Sequence, residues 1–125
     1  MKKWIATPDA PAAVGPYSQA VEANGTLYIS GQLPIDPKTK TMPAGVREQT
    51  VQSLKNIAAI LEAAGYTKND VVKSTVLLAD IADFATMNEA YAEFYTDKLP
   101  ARVAYQVAAL PMGALVEIET VAVKG

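Results

Sequence analysis

Two stretches near the C-terminus, Pro100-Ala101-Arg102-Val103-Ala104-Tyr105-Gln106-Val107 and Leu115-Val116-Glu117-Ile118-Glu119-Thr120-Val121, decide how this chain folds. Both alternate with the period of two that marks a half-buried strand. In the first, Val103, Tyr105 and Val107 share one face, and Arg102, Ala104 and Gln106 share the other. In the second, Val116 and Ile118 point away from Glu117 and Glu119. One strand therefore presents a guanidinium and the other presents two carboxylates. Arginine carries a permanent charge on a planar fork that matches a carboxylate, and a glutamate in a desolvated cleft can accept a proton. Two readings follow: an ion pair between strands, or a site for a small anion and a water. If the two strands paired as a simple hairpin across Pro111-Met112-Gly113, Glu119 would stand nearer to Arg102 than Glu117 does.

Upstream, Val71 to Leu78 is rich in β-branched residues and is expected to form a buried strand. Asp83 is expected to cap a helix carrying Phe84, Met87, Tyr91 and Phe94 on its core side, with Asn88 one position beyond that stripe. An earlier helix shows Val51, Leu54, Ile57 and Leu61 at helical spacing, up to a C-terminal cap at Gly65. Ala20 to Ala23 and Leu27 to Gln32 flank Asn24-Gly25, a pair that readily takes the positive φ values of a two-residue hairpin turn. The second arm ends on Ser30-Gly31, where a missing side chain lets another group approach the backbone and a hydroxyl can donate or accept. Prolines from Pro8 to Pro16 favour an extended path that delivers Tyr17 to the first regular structure. The order is strand, hairpin, helix, strand, helix and two final strands, an α+β arrangement with one layer of helices against one sheet. Two helices cannot cover the second face, which Val121 and Val123 share with the glutamates, so that face is expected to meet another subunit.

With 125 residues, half of them hydrophobic, the chain is expected to form a single domain, 1–125, around its own core. A net charge of -2 and a pI near 5.0 provide no basic field for a phosphate backbone, so nucleic acid is not an expected partner. The chain has no cysteine and no histidine. That removes disulfides, thiol nucleophiles, imidazole bases and the usual ligands of zinc or copper. No metal and no cofactor are expected. Lys2-Lys3 and Trp4-Ile5-Ala6 begin like a signal peptide, but Pro8, Asp9 and Pro11 end the apolar run far short of one. No stretch approaches the ~20 apolar residues of a membrane span, and a cytoplasmic location is expected.

Pro100-Ala101-Arg102, Ala109-Leu110-Pro111 and Val116-Glu117-Ile118-Glu119 closely resemble the C-terminal signature of the reactive intermediate deaminases, the RidA or YjgF-like family. The resemblance continues through Gly15-Pro16-Tyr17, Ser30-Gly31-Gln32, Ala63-Ala64-Gly65 and Asp83-Phe84-Ala85-Thr86-Met87-Asn88, and so covers nearly the whole chain. It implies a chorismate mutase-like fold, a single mixed six-stranded sheet with two helices packed on one face. It implies homotrimers with pockets between neighbouring subunits. The activity it implies is hydrolysis of reactive 2-imino acids, 2-iminobutanoate and 2-iminopropanoate, to 2-oxo acids and ammonia. Pyridoxal-phosphate enzymes form these compounds, and their removal is a cofactor-free detoxification.

Carried over by position, the resemblance makes Arg102 the clamp for the substrate carboxylate and Glu117 the group that holds and activates water. Tyr17, Ser30 and Gly31 would line the pocket, Asn88 would support its wall, and Ala104 would offer a main-chain carbonyl. The sequence departs from many relatives at Val103-Ala104, where a serine and a cysteine commonly follow the arginine. Any use of that thiol is lost here. Two other function classes compete: a non-catalytic module that binds small carboxylates, and a ribonuclease or translation inhibitor, against which the missing histidine and the acidic pI both weigh.

Overall fold

The structure, a computed structural model, describes residues 1–125. Its regular elements are β1 (Lys2–Ile5), β2 (Ala20–Ala23), β3 (Thr26–Gln32), α1 (Val46–Ala64), β4 (Val71–Leu78), α2 (Phe84–Phe94), β5 (Ala101–Gln106) and β6 (Val116–Val123). Short 3-10 turns at Lys68–Asp70, Ile81–Asp83 and Pro111–Gly113 connect them. The six strands form one sheet in the order β1-β2-β3-β6-β4-β5. Only the β4–β5 pair is parallel; all the others are antiparallel.

The hairpin between the last two strands does not form. β5 runs parallel to β4 at the sheet edge, while β6 takes the opposite side of β4, between β4 and β3. There its backbone groups have partners on both sides, which a strand added outside β5 would lack. The connection doubles back at Pro111–Gly113, with Met112 in the left-handed region at φ 60. At the end of β4, Val107 donates to Leu78 O (2.9 Å) and Ala79 donates to Leu115 O (3.0 Å), so β4 is bonded to both flanking segments.

Because strand side chains alternate, β6 buries Val116, Ile118, Thr120 and Ala122 and turns Glu117, Glu119, Val121 and Val123 to the other face. Leu27 and Ile29 of β3 and Val76 and Leu78 of β4 join the buried side. Both helices cover it with Leu54, Ile57, Ile60 and Leu61 of α1 and Met87 and Tyr91 of α2. The opposite face has no helix over it and exposes Tyr28, Val103 and Tyr105.

Local signals mostly act as expected. Asn24 (φ 52) and Gly25 (φ 77) make the tight turn between β2 and β3. Gly65 (φ 81) ends α1, with Tyr66 N–H donating to Leu61 O at 2.8 Å. Helix α1 begins at Val46, ahead of the stripe that starts at Val51, because Val46, Gln49 and Thr50 are also buried. Asp83 stands at the N-cap of α2 but makes no side-chain cap bond; Asp80 instead caps the preceding 3-10 turn, accepting from Ala82 N at 2.9 Å.

The polar residues on the buried side of α1 hold the loops around the sheet. Asn56 Nδ2 donates to Leu33 O (3.1 Å) and Ile35 O (2.9 Å), and Ser53 Oγ donates to Gln32 O (3.0 Å). Gln49 Oε1 accepts from Leu115 N at 2.8 Å, just before β6. Asn56→Ala leaves two buried carbonyls without this donor. The expected loss is about 2 kcal/mol of unfolding free energy, read from urea denaturation.

Candidate active site

The exit of β3 is irregular. Ile29 pairs with Thr120 and Gln32 with Ile118, so three steps on β3 match two on β6. Ser30 and Gly31 thus stand in a bulge facing Glu119, a device that re-aims side chains next to sites. A Cβ placed on Gly31 would overlap Glu117 Oε2 and lie 3.1 Å from its Cδ. The missing side chain is therefore the space in which the Glu117 carboxylate rests.

Around it, each polar group has a defined hydrogen-bond state. Ser30 Oγ donates to Ser18 O at 2.6 Å, which leaves its lone pairs free to accept. The Tyr17 hydroxyl accepts from Val14 N at 3.2 Å and keeps its own proton to donate. Gln19 stitches the proline-rich segment in place: its Oε1 accepts from Thr7 N (2.7 Å) and its Nε2 donates to Pro11 O (2.8 Å). Tyr17, Ser30, Gly31, Leu33, Glu117 and Glu119 line an open cavity of about 380 Å³. A cleft of similar volume beside Trp4 and Ile5 contains no charged side chain. Burial, followed by repulsion from Glu119, raises the Glu117 carboxyl above its ordinary value. A carboxylate held this way is a better proton acceptor than a solvated one.

Arg102 is not in that cavity. It pairs with Ser74 of β4, which in turn pairs with Thr120, so its side chain lies on the helix-covered face, opposite to Glu117. Its guanidinium rests 4.8 Å from the Tyr91 ring centroid and 5.6 Å from that of Phe84, with Nη1 3.9 Å from Met87 Sδ. The salt bridges of the fold join Lys3 to Glu22 and Arg47 to Glu89 and Glu93, and none involves Arg102. The ion-pair reading therefore fails, and the fork has no carboxylate partner within the chain. Asn88 lies between Phe84 and Tyr91 on the same side of α2, with Oδ1 buried and without a protein partner. Ala104 follows on the same face of β5, packed against the core. No group of three acidic, histidine or cysteine side chains is placed to hold a metal ion.

The candidate residues thus form two half-sites, Tyr17, Ser30, Gly31 and Glu117 on one face and Arg102, Asn88 and Ala104 on the other. Tyr91, expected only as core, is buried and also carries the guanidinium; Phe84, expected in the same core stripe, is exposed at the start of α2 and flanks the guanidinium instead, and their seven-residue spacing was the signal for that shared face. Gln19, which holds the Tyr17 segment, left no sequence signal beyond its amide.

Residues 7–124 match the family model described as endoribonuclease L-PSP. The chain belongs to that family, the family of RidA and YjgF. A 2-iminobutanoate/2-iminopropanoate deaminase of Mus musculus is 56% identical over all of this chain and 93% of its own length. The crystal structure of RidA from the Antarctic bacterium Psychrobacter is 51% identical with a TM-score of 0.95, covering 98% of this chain and 99% of that one. The crystal structure of E. coli TdcF with bound serine is 43% identical with a TM-score of 0.95 and the same coverage. The mixed six-stranded sheet with two helices is the chorismate mutase-like fold of this RidA family.

Two outcomes follow from the Glu117 recess. Gly31→Ala displaces only the tip of a flexible side chain, so the melting temperature should stay within about 3 °C of the parent while kcat falls by about tenfold or more. Glu117 has a raised pKa in the folded state, so its charge opposes folding above that pKa and the penalty disappears once it is protonated. Glu117→Gln should therefore melt higher than the parent at pH 7, and calorimetry should show the advantage shrinking as pH falls toward about 4.

Proposed function

We propose that this chain, as one domain, is a cofactor-independent deaminase that hydrolyses 2-iminobutanoate and 2-iminopropanoate to 2-oxo acids and ammonia. The proposal includes a homotrimer with sites between subunits. The observation that carries it is the division of the two half-sites: an unpaired guanidinium and a desolvated carboxylate lie on opposite faces of one sheet, in a chain over half identical to a deaminase along its full length. A second copy set against the uncovered face can bring its Arg102 to the first copy's Glu117, which no movement within one sheet can do. The exposed Tyr28, Val103 and Tyr105 supply the apolar contact such an interface needs.

The chemistry needs only these groups. Arg102 takes the substrate carboxylate in a bidentate pair, its plane set by the Tyr91 and Phe84 rings. Glu117 removes a proton from water as the oxygen adds to the carbon of the protonated imine, giving a neutral carbinolamine. It returns that proton to the nitrogen; the C–N bond then breaks, ammonia leaves, and the hydroxyl proton is released as the 2-oxo acid forms. Tyr17 donates to the developing oxygen, and Ser30 accepts from the nitrogen. An imine carbon is already electrophilic, so positioning and one base suffice. The serine bound to E. coli TdcF has the size and the α-carboxylate that this pocket requires. No helix here is long and apolar enough to cross a membrane. The proposal places the enzyme in the cytoplasm, with the pyridoxal-phosphate enzymes whose labile products it would clear.

Ammonia release from a threonine dehydratase reaction should accelerate when the protein is added, whereas a module that only binds carboxylates would leave the rate unchanged. Arg102→Ala and Glu117→Gln should each be inactive. Co-refolded in equal amounts, they should regain about a quarter of the parent rate, because each mixed trimer rebuilds one intact junction. No recovery on mixing would place both residues in one chain's pocket and sink the shared site.

A further inference from the structure

Behind Arg102 lies a polar cluster that the chemistry above does not use. Ser74 stands between Arg102 and Thr120 in one row across β5, β4 and β6, on the helix-covered face. Tyr91 and Tyr95 of the α2 segment belong to the layer above it, their ring centroids 4.9 Å apart. Ser74 is 0% and Thr120 1% exposed. The hydroxyl oxygens of all four residues are inaccessible, and none has a hydrogen-bond partner in the protein. Ser74 comes near both phenols, and burial pushes both phenols up, yet it has hydrogen-bond geometry to neither.

Orphaned buried hydroxyls are rare, because alanine, valine and phenylalanine would fill the same space without desolvating a polar group. Four in one place point to a network completed by small rotations and an internal water, which needs two to four polar partners. Tyr91 links this cluster to the site, since its ring supports the guanidinium at 4.8 Å.

We propose that Ser74, Thr120 and Tyr95 form a buried hydroxyl network that closes on Tyr91 and thereby sets the plane in which Arg102 meets the substrate carboxylate. They are positioning residues acting through the Tyr91 ring, and their role rests on the reading of Arg102 as the carboxylate clamp. A ring held only by apolar contacts can tilt, and the guanidinium tilts with it. A bidentate pair tolerates little of that.

Tyr91→Phe keeps the ring and removes its hydroxyl, Thr120→Val keeps the shape, and Thr120→Ser keeps the hydroxyl. In the imine assay the first two should raise KM by about fivefold to tenfold with kcat within about twofold, and Thr120→Ser should match the parent. In an Arg102→Ala background the same changes should add less than about twofold. Calorimetric binding of 2-oxobutanoate supplies the same cycle where turnover is too slow to measure. Higher melting temperatures with unchanged KM would mean that the hydroxyls are simply unsatisfied, and would overturn the network. Equal losses with and without Arg102 would overturn it as well. An Arg102→Ala protein that keeps the parent's KM and 2-oxobutanoate affinity would instead refute the clamp itself, before any network variant is made.

Discussion

A pleated strand must send successive side chains to opposite faces, and in this fold that rule acts on β6, which has a partner on each side. Its even-numbered residues 116 to 122 enter the core, so Glu117 and Glu119 must face the side without helices. Register carries the same parity through Ser74 to Arg102, which is thereby fixed on the helix side. Moving either charge to join the other would require a register slip that exposes a buried row and buries a polar one. Separation of the half-sites is thus a consequence of core packing.

Each half-site keeps its charge unsatisfied by a different means. Glu117 is desolvated and lies near a like charge, which makes its ionised form costly. Arg102 is supported by aromatic faces, which attract a cation without neutralising it. Both arrangements leave room for an external counter-charge. A carboxylate beside Arg102, or a lysine beside Glu117, would neutralise the charge within the chain and leave no need for an external one.

Period and turn chemistry made the elements legible: the Asn24-Gly25 turn, the Gly65 cap and the alternation of β5 and β6 all fold as their residues suggest. Strand order was not legible, because whether β6 pairs with β5 or inserts beside β4 depends on which edge remains open once the other strands are placed. The choice between Glu117 and Glu119 shows the same limit. Both line the cavity, and the feature that separates them is contact with Gly31, which lies on a different strand, far from Glu117 in the sequence, and meets it only through the fold. Asp80 and Asp83 lie three residues apart and offer the same side chain; only the earlier one makes a cap bond, to the 3-10 turn before α2. The family resemblance supplied Tyr17, Ser30 and Gly31 together, which composition alone would have left as a loop residue and a strand end.

The glycine in the β3 bulge has a further effect, on disorder. A glutamate on a strand ordinarily samples several rotamers, and restricting such a side chain costs up to about 2 kcal/mol in lost freedom. Here the carboxylate lies in a recess the width of one absent methyl group, bounded by the Gly31 backbone. That restriction is imposed once, as the chain folds. In the proposed role of Glu117 as the base, each encounter with a substrate would begin with the carboxylate already confined, and the entropy lost on reaching the reactive arrangement would be smaller for it.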